Sequence, residues 1–285
     1  MKNGYPKKVY LNGEITDVES AKISVFDRGF LFGDGIYEVM VQINGRFLGG
    51  EAHLKRLGEG LQKINIGFDT TNITTEISKL LLESELTDRD CLLYIQVTRG
   101  VAPRKHAYPD ATKPTVMMYA APSVFPDINP VQASVVTADD FRWSRCDIKT
   151  ISLLGNVMVN QYAAQQGCHE TVLLRNGLVT EGSHSNVFFV RDGVVYTHPA
   201  NRYILNGITR QIVLKLCADL DLDVREEGIS VNEIRKMDEA FLTGTTTQIA
   251  SIKQLDDHFF YQGDAVGEIT HKLQIAYSEL KKCNQ

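Results

Sequence analysis

Four stretches of the chain repeat apolar residues at the spacing of an amphipathic helix. Within each stretch the apolar positions lie three or four residues apart, which places them on one face of a helix. The four sets are Leu54, Leu57, Leu61 and Ile64; Ile73, Ile77 and Leu80; Ile212, Leu216 and Leu220; and Ile269, Leu273, Ala276 and Leu280. The pattern predicts three internal helices and a C-terminal amphipathic helix. Ser230 followed by Glu233 has the spacing of a capping box and predicts one further short helix.

Four other segments are apolar runs interrupted by a residue pair suited to a tight turn. Asn-Gly and Asp-Gly pairs readily accept the positive φ angles of a type I′ turn. The predicted hairpins are Val9–Ile15, turning at Asn12-Gly13; Val41–Leu48, turning at Asn44-Gly45; Thr171–Thr180, turning at Asn176-Gly177; and Val187–Thr197, turning at Asp192-Gly193. Hairpins favour antiparallel or mixed sheets. The pattern therefore predicts an α+β protein with strands and helices in both halves.

The prolines divide the chain. Six of the eight fall between residues 103 and 130. Because proline disfavours a helical residue before it and cannot donate a hydrogen bond to a sheet, we expect loop and linker here. We predict a small N-terminal domain over residues 1–120, an interdomain linker over residues 121–130 and a larger C-terminal domain over residues 131–285.

The composition is that of an ordinary globular protein. Hydrophobic residues make up 43% and charged residues 23%, which excludes disordered and fibrous chains. The net charge of −5 argues against a nucleic-acid partner. No apolar stretch approaches the ~18 residues of a membrane span, and the first residues lack the apolar core of a signal peptide, so no membrane partner is expected. The five cysteines form no CxxC pair, which argues against a disulfide framework or a zinc site. This cysteine usage favours a reducing, cytoplasmic location.

Common catalytic templates are missing from the sequence. There is no GxSxG, HExxH, GxxxxGK[ST] or GxGxxG motif, and the seven histidines show no metal-ligand spacing, so we expect no metal site. Three runs are unusual for a scaffold: DRGFLFGDGIYE at Asp27–Glu38, EGSHSN at Glu181–Asn186 and TGTTTQ at Thr243–Gln248. The last of these, and Gly207–Arg210 at the start of a predicted helix, offer N–H groups and hydroxyls that can hold a phosphate. Each run is also compatible with an ordinary turn, loop or strand.

Lys149 lies in an apolar context, in the run RWSRCDIKTISLLG at Arg142–Gly155. Desolvation of a lysine favours the neutral amine, which can then bond covalently to a carbonyl group. A lysine in a strand is more often a surface residue whose charged end reaches solvent. The spacing of apolar residues alone leaves both interpretations open.

Six runs, taken in order, resemble the class IV aminotransferases, which are pyridoxal 5′-phosphate enzymes of fold type IV. The matching runs are FGDGIYE, His53-x-x-Arg56, DIK at Asp147–Lys149, VTEGSHSNVFFV, LNGITR at Leu205–Arg210 and TGTTT. The similarity extends from Val9 to about Tyr277. It implies a two-domain α+β fold, with a small N-terminal α/β domain and a larger C-terminal, β-barrel-like, cofactor-binding domain with flanking helices. Within the family, RWSRCDIKTISLLGNV, TRGVAPRKHAYP and YTHPANRYILNGITR are most similar to the D-amino acid aminotransferases.

The resemblance also implies a role for each matching residue. Lys149 would bond covalently to the cofactor and carry the proton, Glu181 would sit against the pyridine nitrogen, and Leu205 would pack beneath the ring. The phosphate would be held by Arg56, Ile208, Thr209, Gly244 and Thr245; Gly244 stands where relatives often have serine, which removes one hydroxyl. Tyr37, Arg104 and His106 would bind the substrate α-carboxylate. Arg104 and His106 would come from the partner subunit of a homodimer whose active site is shared across the interface.

The resemblance therefore implies transamination between an amino acid, such as D-alanine or D-glutamate, and a 2-oxo acid. Two alternatives use the same fold: a branched-chain L-amino acid aminotransferase and an aminodeoxychorismate lyase. A third alternative is a binding protein that has kept the scaffold without the cofactor. Loss of Lys149 or Glu181 would favour that last possibility, and both residues are present.

Overall fold

The strands form two separate sheets, one in each of two units of the chain. The computed structural model describes residues 5–283. Unit 1 comprises residues 5–125 and 148–153, and unit 2 comprises residues 126–147 and 154–283. Among the described residues, no helix combines the length and apolar composition needed to cross a bilayer.

Unit 1 contains a six-stranded antiparallel sheet and three helices. The strands are β1 (Lys8–Leu11), β2 (Glu14–Asp17), β3 (Gly35–Ile43), β4 (Arg46–Phe47), β5 (Cys91–Thr98) and β6 (Thr115–Pro122), in the spatial order β2-β1-β6-β5-β3-β4. The helices are α1 (Arg28–Phe32), α2 (Gly50–Lys63) and α3 (Ile73–Glu83). Ile36 of β3, Leu57 and Leu61 of α2 and Leu80 of α3 belong to one buried apolar core.

Unit 2 contains a nine-stranded mixed sheet. Its strands are β7 (Gln132–Asp139), β8 (Glu170–Arg175), β9 (Leu178–Gly182), β10 (Asn186–Arg191), β11 (Val194–Thr197), β12 (Val224–Glu226), β13 (Glu239–Gly244), β14 (Gln248–Leu255) and β15 (His258–Phe259). The order is β12-β11-β10-β13-β14-β7-β8-β9, with β15 paired to β14. The helices of this unit are α4 (Leu154–Gln165), α5 (Ile208–Asp219), a 3₁₀ helix (Val231–Lys236) and α6 (Glu268–Cys283).

All four predicted hairpins are confirmed. They are β1–β2, β3–β4, β8–β9 and β10–β11, each with antiparallel pairing. The turn residues adopt the left-handed conformation that the Asn-Gly and Asp-Gly pairs predict; Asn44, for example, has φ 50° and Gly45 has φ 77°.

The predicted helices are confirmed as α2, α3, α5 and α6, and the capping box of Ser230 and Glu233 opens the 3₁₀ helix. Two helices were not predicted. Helix α1 is a five-residue helix inside the glycine-rich run, capped by Asp27, whose side chain accepts a hydrogen bond from the Gly29 N–H. Helix α4 buries Val159 and Ala163 but exposes Leu154, Val157 and Met158, so its apolar residues do not form one stripe.

The two units depart from a simple division of the sequence at one point. The chain passes from unit 1 to unit 2 after Phe125, but residues 148–153 return to unit 1. Backbone hydrogen bonds explain the return: the Tyr37 N–H donates to the Lys149 carbonyl at 3.1 Å, and the Ile151 N–H donates to the Gly35 carbonyl at 3.1 Å. Lys149, expected within residues 131–285, therefore belongs structurally with β3.

Glu38 on β3 carries a carboxylate enclosed in unit 1. It is fully buried and accepts hydrogen bonds from Arg56 Nε at 2.7 Å and Arg56 Nη2 at 2.8 Å, while His53 Nδ1 lies 2.8 Å away. Burial alone would raise the pKa of Glu38, but the bonds from Arg56 and His53 and the charges of Arg56 and Lys149 lower it from 4.5 to about 2. Burial lowers the pKa of His53, so hydrogen bonding to Glu38 only partly restores its affinity for a proton. The ionised form of Glu38 is therefore the form that the folded protein favours.

We predict that Glu38→Gln destabilises unit 1 in a pH-dependent way. A carboxylate whose folded pKa is depressed stabilises the fold above its unfolded pKa and loses that contribution as the pH falls through the folded value. The loss should be about 3 kcal/mol at pH 7 and should shrink as the pH falls from about 4.5 towards about 2. Urea unfolding at pH 7 and pH 3 measures both values. Glu59→Gln, at an exposed ion pair with Lys55, is the matched control and should change little. An equal loss at both pH values would contradict the electrostatic origin.

Candidate active site

Lys149 and Tyr37 are held together at the edge of β3. The Lys149 amine lies 4.2 Å from the centroid of the Tyr37 ring, and the two backbones share the hydrogen bond described above. Ile148 and Thr150 on either side of Lys149 are buried, whereas Lys149 is only half-buried. The segment thus fixes the lysine backbone and leaves its amine accessible over an aromatic face.

Arg56 of α2 binds Glu38, the residue that follows Tyr37 in β3. Its guanidinium is held on two nitrogens by the buried Glu38 carboxylate, which fixes its plane. The charge of Lys149 contributes to the low pKa of Glu38, so the amine and the carboxylate feel each other's charge. Lys149 is therefore close to the Tyr37 ring and within electrostatic reach of the carboxylate that holds Arg56.

Arg104 and His106 lie together on an exposed loop of unit 1. The Arg104 guanidinium is 5.1 Å from the Phe32 ring centroid, and the His106 ring is 5.5 Å from it. Among the described residues, no hydrogen bond or ring contact joins either of them to Tyr37. The three residues that the resemblance assigns to the substrate carboxylate are thus two separate groups within this chain.

Glu181 carries one of the buried carboxylates of unit 2. Its Oε1 accepts a hydrogen bond from Arg142 Nη1 at 2.9 Å, and its Oε2 accepts one from the Leu205 N–H at 2.9 Å and one from Asn186 Nδ2 at 3.3 Å. Burial raises the pKa of Glu181 to about 7, although the Arg142 charge and the Leu205 N–H oppose that rise. Glu181 and Leu205, which the resemblance places on the same ring, are therefore in direct contact.

Neither periodicity nor the family resemblance assigns a role to Arg142, the first residue of the run RWSRCDIKTISLLG. Arg142 Nε donates to Asp140 Oδ1 at 2.9 Å while its Nη1 holds Glu181, and Asp140 also pairs with Arg175 at 2.9 Å. Asp140 is fully buried at its carboxylate and Arg142 nearly so. This chain of charges fixes the plane of the Glu181 carboxylate.

Asn186 was also overlooked, and it links the predicted residues of unit 2. Its Nδ2 donates to the Leu205 carbonyl at 2.9 Å, and its backbone pairs with Thr243 on β13. Its Oδ1 lies so near Gly207 that a Cβ there would come within 2.2 Å of it, so only glycine fits at this position. Strand β10 therefore brings Glu181, Leu205 and the start of α5 to one place.

The start of α5 is suited to an anion. Ile208 and Thr209 open this twelve-residue helix; Gly207 provides no side-chain cap, and the first turn carries no acidic residue. Free N–H groups at a helix N-terminus attract negative charge. The Thr243 hydroxyl, buried on the neighbouring strand, has no hydrogen-bond partner among the described residues. Gly244 follows it as the last residue of β13, and Thr245 begins the turn to β14.

Comparison with known proteins adds family membership to this geometry. A family model described as amino-transferase class IV matches residues 35–255. The D-alanine aminotransferase of Bacillus licheniformis is 39% identical, covering 94% of this chain and 95% of that protein. The D-alanine aminotransferase of Staphylococcus aureus (strain MSSA476) is 37% identical, covering 96% of this chain and 97% of that protein.

Solved structures show the same fold. The branched-chain amino acid aminotransferase of Thermobaculum terrenum, in its PLP form, superposes with a TM-score of 0.87 at 24% identity, covering 99% of this chain and 96% of that one. That of Escherichia coli gives a TM-score of 0.86 at 22% identity, covering 96% and 93%. The expected α+β architecture of fold type IV is thereby confirmed. This chain belongs to the class IV aminotransferases, and its cofactor is pyridoxal 5′-phosphate.

Proposed function

We propose that this aminotransferase takes its amino group from D-amino acids, D-alanine among them, and passes it to a 2-oxo acid. The observation that carries the donor class is the full-length similarity to proteins named D-alanine aminotransferase, at 39% and 37% identity. The solved branched-chain relatives support the fold alone. The buried thiols of Cys91, Cys146 and Cys217 are free, which is consistent with action in the reducing cytoplasm.

Lys149 is the residue that we assign to the covalent link and to proton transfer. Bound pyridoxal phosphate supplies an electron sink that stabilises negative charge at the substrate Cα. The Lys149 amine, once released, would carry the proton between that Cα and the cofactor carbon that receives the amino group. Its fixed backbone and its position over the Tyr37 ring limit the paths that the amine can take.

Glu181 would hold the pyridine nitrogen in its protonated form. A carboxylate beside a ring nitrogen stabilises the cation by direct Coulomb attraction. The low-dielectric surroundings that raise the pKa of Glu181 to about 7 also strengthen its attraction for a cationic partner. Arg142 and Asn186 keep the carboxylate oriented, and Leu205, which donates its N–H, would pack beneath the ring.

The phosphate would lie at the start of α5. Ile208 and Thr209 would donate their N–H groups, and Gly244 and Thr245 would close the cup, with Arg56 as its cation. The unpartnered Thr243 hydroxyl and the uncapped helix fit a dianion at this point. Gly244 contributes no hydroxyl, so the cup depends more on backbone N–H groups than a serine-bearing one.

The substrate carboxylate would meet Tyr37, Arg104 and His106, the last two supplied by the partner subunit of a homodimer. Exposed apolar side chains on unit 1 near that loop support the proposal that the partner is a second copy of this chain. Phe30 of α1 is 70% exposed, and Val25, Phe26 and Val101 are each at least half exposed. Apolar side chains of this size, grouped on one surface, mark interaction sites.

Lys149→Ala is expected to abolish both transamination and covalent attachment of the cofactor. Borohydride reduction of the wild type, followed by peptide mapping, should place the pyridoxyl group on Lys149. Lys215→Ala, an exposed position on α5, is the matched control and should behave as wild type. Label recovered on Lys113 or Lys215 instead would refute the assignment.

Glu181→Gln is expected to leave a folded, cofactor-loaded enzyme with a lower kcat. The amide lacks the charge that keeps the ring nitrogen protonated, and a tenfold loss corresponds to about 1.4 kcal/mol of transition-state stabilisation. Single-turnover kinetics with a saturating donor isolate this step. Glu227→Gln, an exposed substitution in unit 2, serves as control. Unchanged turnover would leave Glu181 without a chemical role.

Arg104→Ala is expected to raise KM for D-alanine and D-glutamate while cofactor affinity stays unchanged. Bleaching of the cofactor absorbance by D- and L-alanine, D-glutamate, L-leucine and aminodeoxychorismate tests the donor class. L-leucine or aminodeoxychorismate as the best substrate would overturn the D-amino acid proposal.

The shared site is tested by mixing subunits. Lys149→Ala chains mixed with Arg104→Ala chains should regain activity, because one site of each hybrid dimer has both wild-type residues. No recovery after verified subunit exchange would argue against a shared site, and wild-type KM values for Arg104→Ala would remove its carboxylate role.

A further inference from the structure

Two buried arginines in unit 1, Arg28 and Arg99, share the carboxylate of Asp34. None of these three residues is assigned above to the cofactor or the substrate. Asp34 Oδ2 accepts hydrogen bonds from Arg28 Nε at 2.7 Å and from Arg99 Nε at 2.8 Å, and Asp34 Oδ1 accepts one from Arg99 Nη2 at 3.0 Å. The Arg28 and Arg99 side chains are only 4% and 6% exposed. Burial would raise the pKa of Asp34, but the bonds and charges of Arg99 and Arg28 lower it, so the carboxylate stays ionised.

This cluster carries one more positive charge than negative. Taking charges out of water is costly, so a buried ion pair is poor evidence for a purely stabilising role. An excess cation needs further acceptors to satisfy its remaining N–H groups. Where those acceptors lie shows what the cluster holds in place.

Arg99 finds part of its acceptors at the end of α2. Its Nη2 donates to the Ile64 carbonyl at 2.7 Å and its Nη1 to the Asn65 carbonyl at 2.9 Å. Its guanidinium also stacks 3.5 Å from the centroid of the Tyr108 ring. One side of Arg99 is therefore fixed to the core of unit 1, and the other contacts the loop that carries Arg104 and His106.

Arg28 bonds to the middle of that loop. Its Nη1 donates at 2.6 Å to the carbonyl of Lys105, the residue between Arg104 and His106, and its backbone N–H donates to the Gly100 carbonyl at 2.9 Å. Phe32, one turn further along α1, meets both Arg104 and His106 with its ring. Helix α1 thus contacts the backbone and the side chains of the same loop.

We propose that Arg28, Asp34 and Arg99 are positioning residues for the loop of residues 100–109. They hold this loop in the conformation that presents Arg104 and His106 to the substrate carboxylate, an inference that rests on the proposed function. Residues 100–109 contain no helix, and Arg104, Lys105 and His106 are exposed, so the loop has little packing of its own. Arg28 and Arg99 supply the contacts that hold this loop to the rest of unit 1, through the Lys105 carbonyl and the Tyr108 ring. Binding the carboxylate then requires less ordering of the loop.

Tyr108 offers the mildest test, because it is half exposed and lies at the edge of the cluster. In the holoenzyme, Tyr108→Leu removes the aromatic face on which Arg99 stacks, whereas Tyr108→Phe retains it. Losing one exposed cation–π contact should raise KM for D-alanine about two- to fivefold, with kcat unchanged. Tyr108→Phe should match wild type, which a requirement for the Tyr108 hydroxyl would not predict.

Arg28→Lys is the stronger test, since lysine keeps the charge but cannot bond to Asp34 and Lys105 together. KM for D-alanine should rise about tenfold, the effect of losing a hydrogen bond to a charged group. Arg46→Lys, an exposed arginine of the same unit, is the matched control.

Trypsin gives a readout independent of activity. Cleavage after Arg104 and Lys105, followed by mass spectrometry, should be faster in Arg28→Lys and Tyr108→Leu than in wild type, Tyr108→Phe and Arg46→Lys. Wild-type cleavage rates and KM values in the folded variants would overturn the proposal, and the Tyr108 pair decides if Arg28→Lys does not fold. Faster cleavage without a KM change, together with a wild-type KM for Arg104→Ala, would mean that the cluster holds the loop but that the loop does not bind the carboxylate.

Discussion

The backbone pairing between β3 and residues 149–151 is the constraint on which the proposed role of Lys149 depends. The proton transfer that we propose for Lys149 needs a fixed origin, and two main-chain hydrogen bonds supply it without using any side chain. Strand β3 brings the other groups to the same place. Tyr37 lies beneath the amine and Glu38, the next residue, points into the core and fixes Arg56. Alternation along one strand thus places the Tyr37 ring and the Glu38 carboxylate on opposite faces of the sheet.

The role that we propose for Glu181 in unit 2 requires a buried carboxylate that has a fixed orientation and still attracts a cation. Glu181 has a cation on one oxygen and uncharged donors on the other. Arg142 would hold its proton affinity low, but burial has the larger effect, and Asp140 takes up part of the Arg142 charge. The result is a carboxylate with a fixed plane and incomplete neutralisation, which is a state that favours a further positive partner.

The sequence predicts those features that local rules determine. Turns at Asn-Gly and Asp-Gly, helices with one apolar stripe and the Ser230 capping box depend on residues a few positions apart, and all are present. Helix α4 was not predicted because both of its faces carry apolar residues, so the sequence shows no single apolar stripe. The candidate site residues could be named by resemblance, but the groups that orient them could not. Glu38 and Arg56, Asp34 and Arg99, and Arg142 and Glu181 are paired across 18, 65 and 39 positions, and no periodicity encodes such pairs.

The chain crosses between the two units after Phe125, after Asp147 and after Leu153. Neither unit is therefore a single continuous stretch of sequence. A fragment ending at Phe125 would keep β3 but lose the segment that pairs with it, and with that segment Lys149. During synthesis on the ribosome, the edge of β3 stays unpaired until the polypeptide has been extended past Leu153. Neither unit, with all of its residues, is encoded by one contiguous segment of the gene.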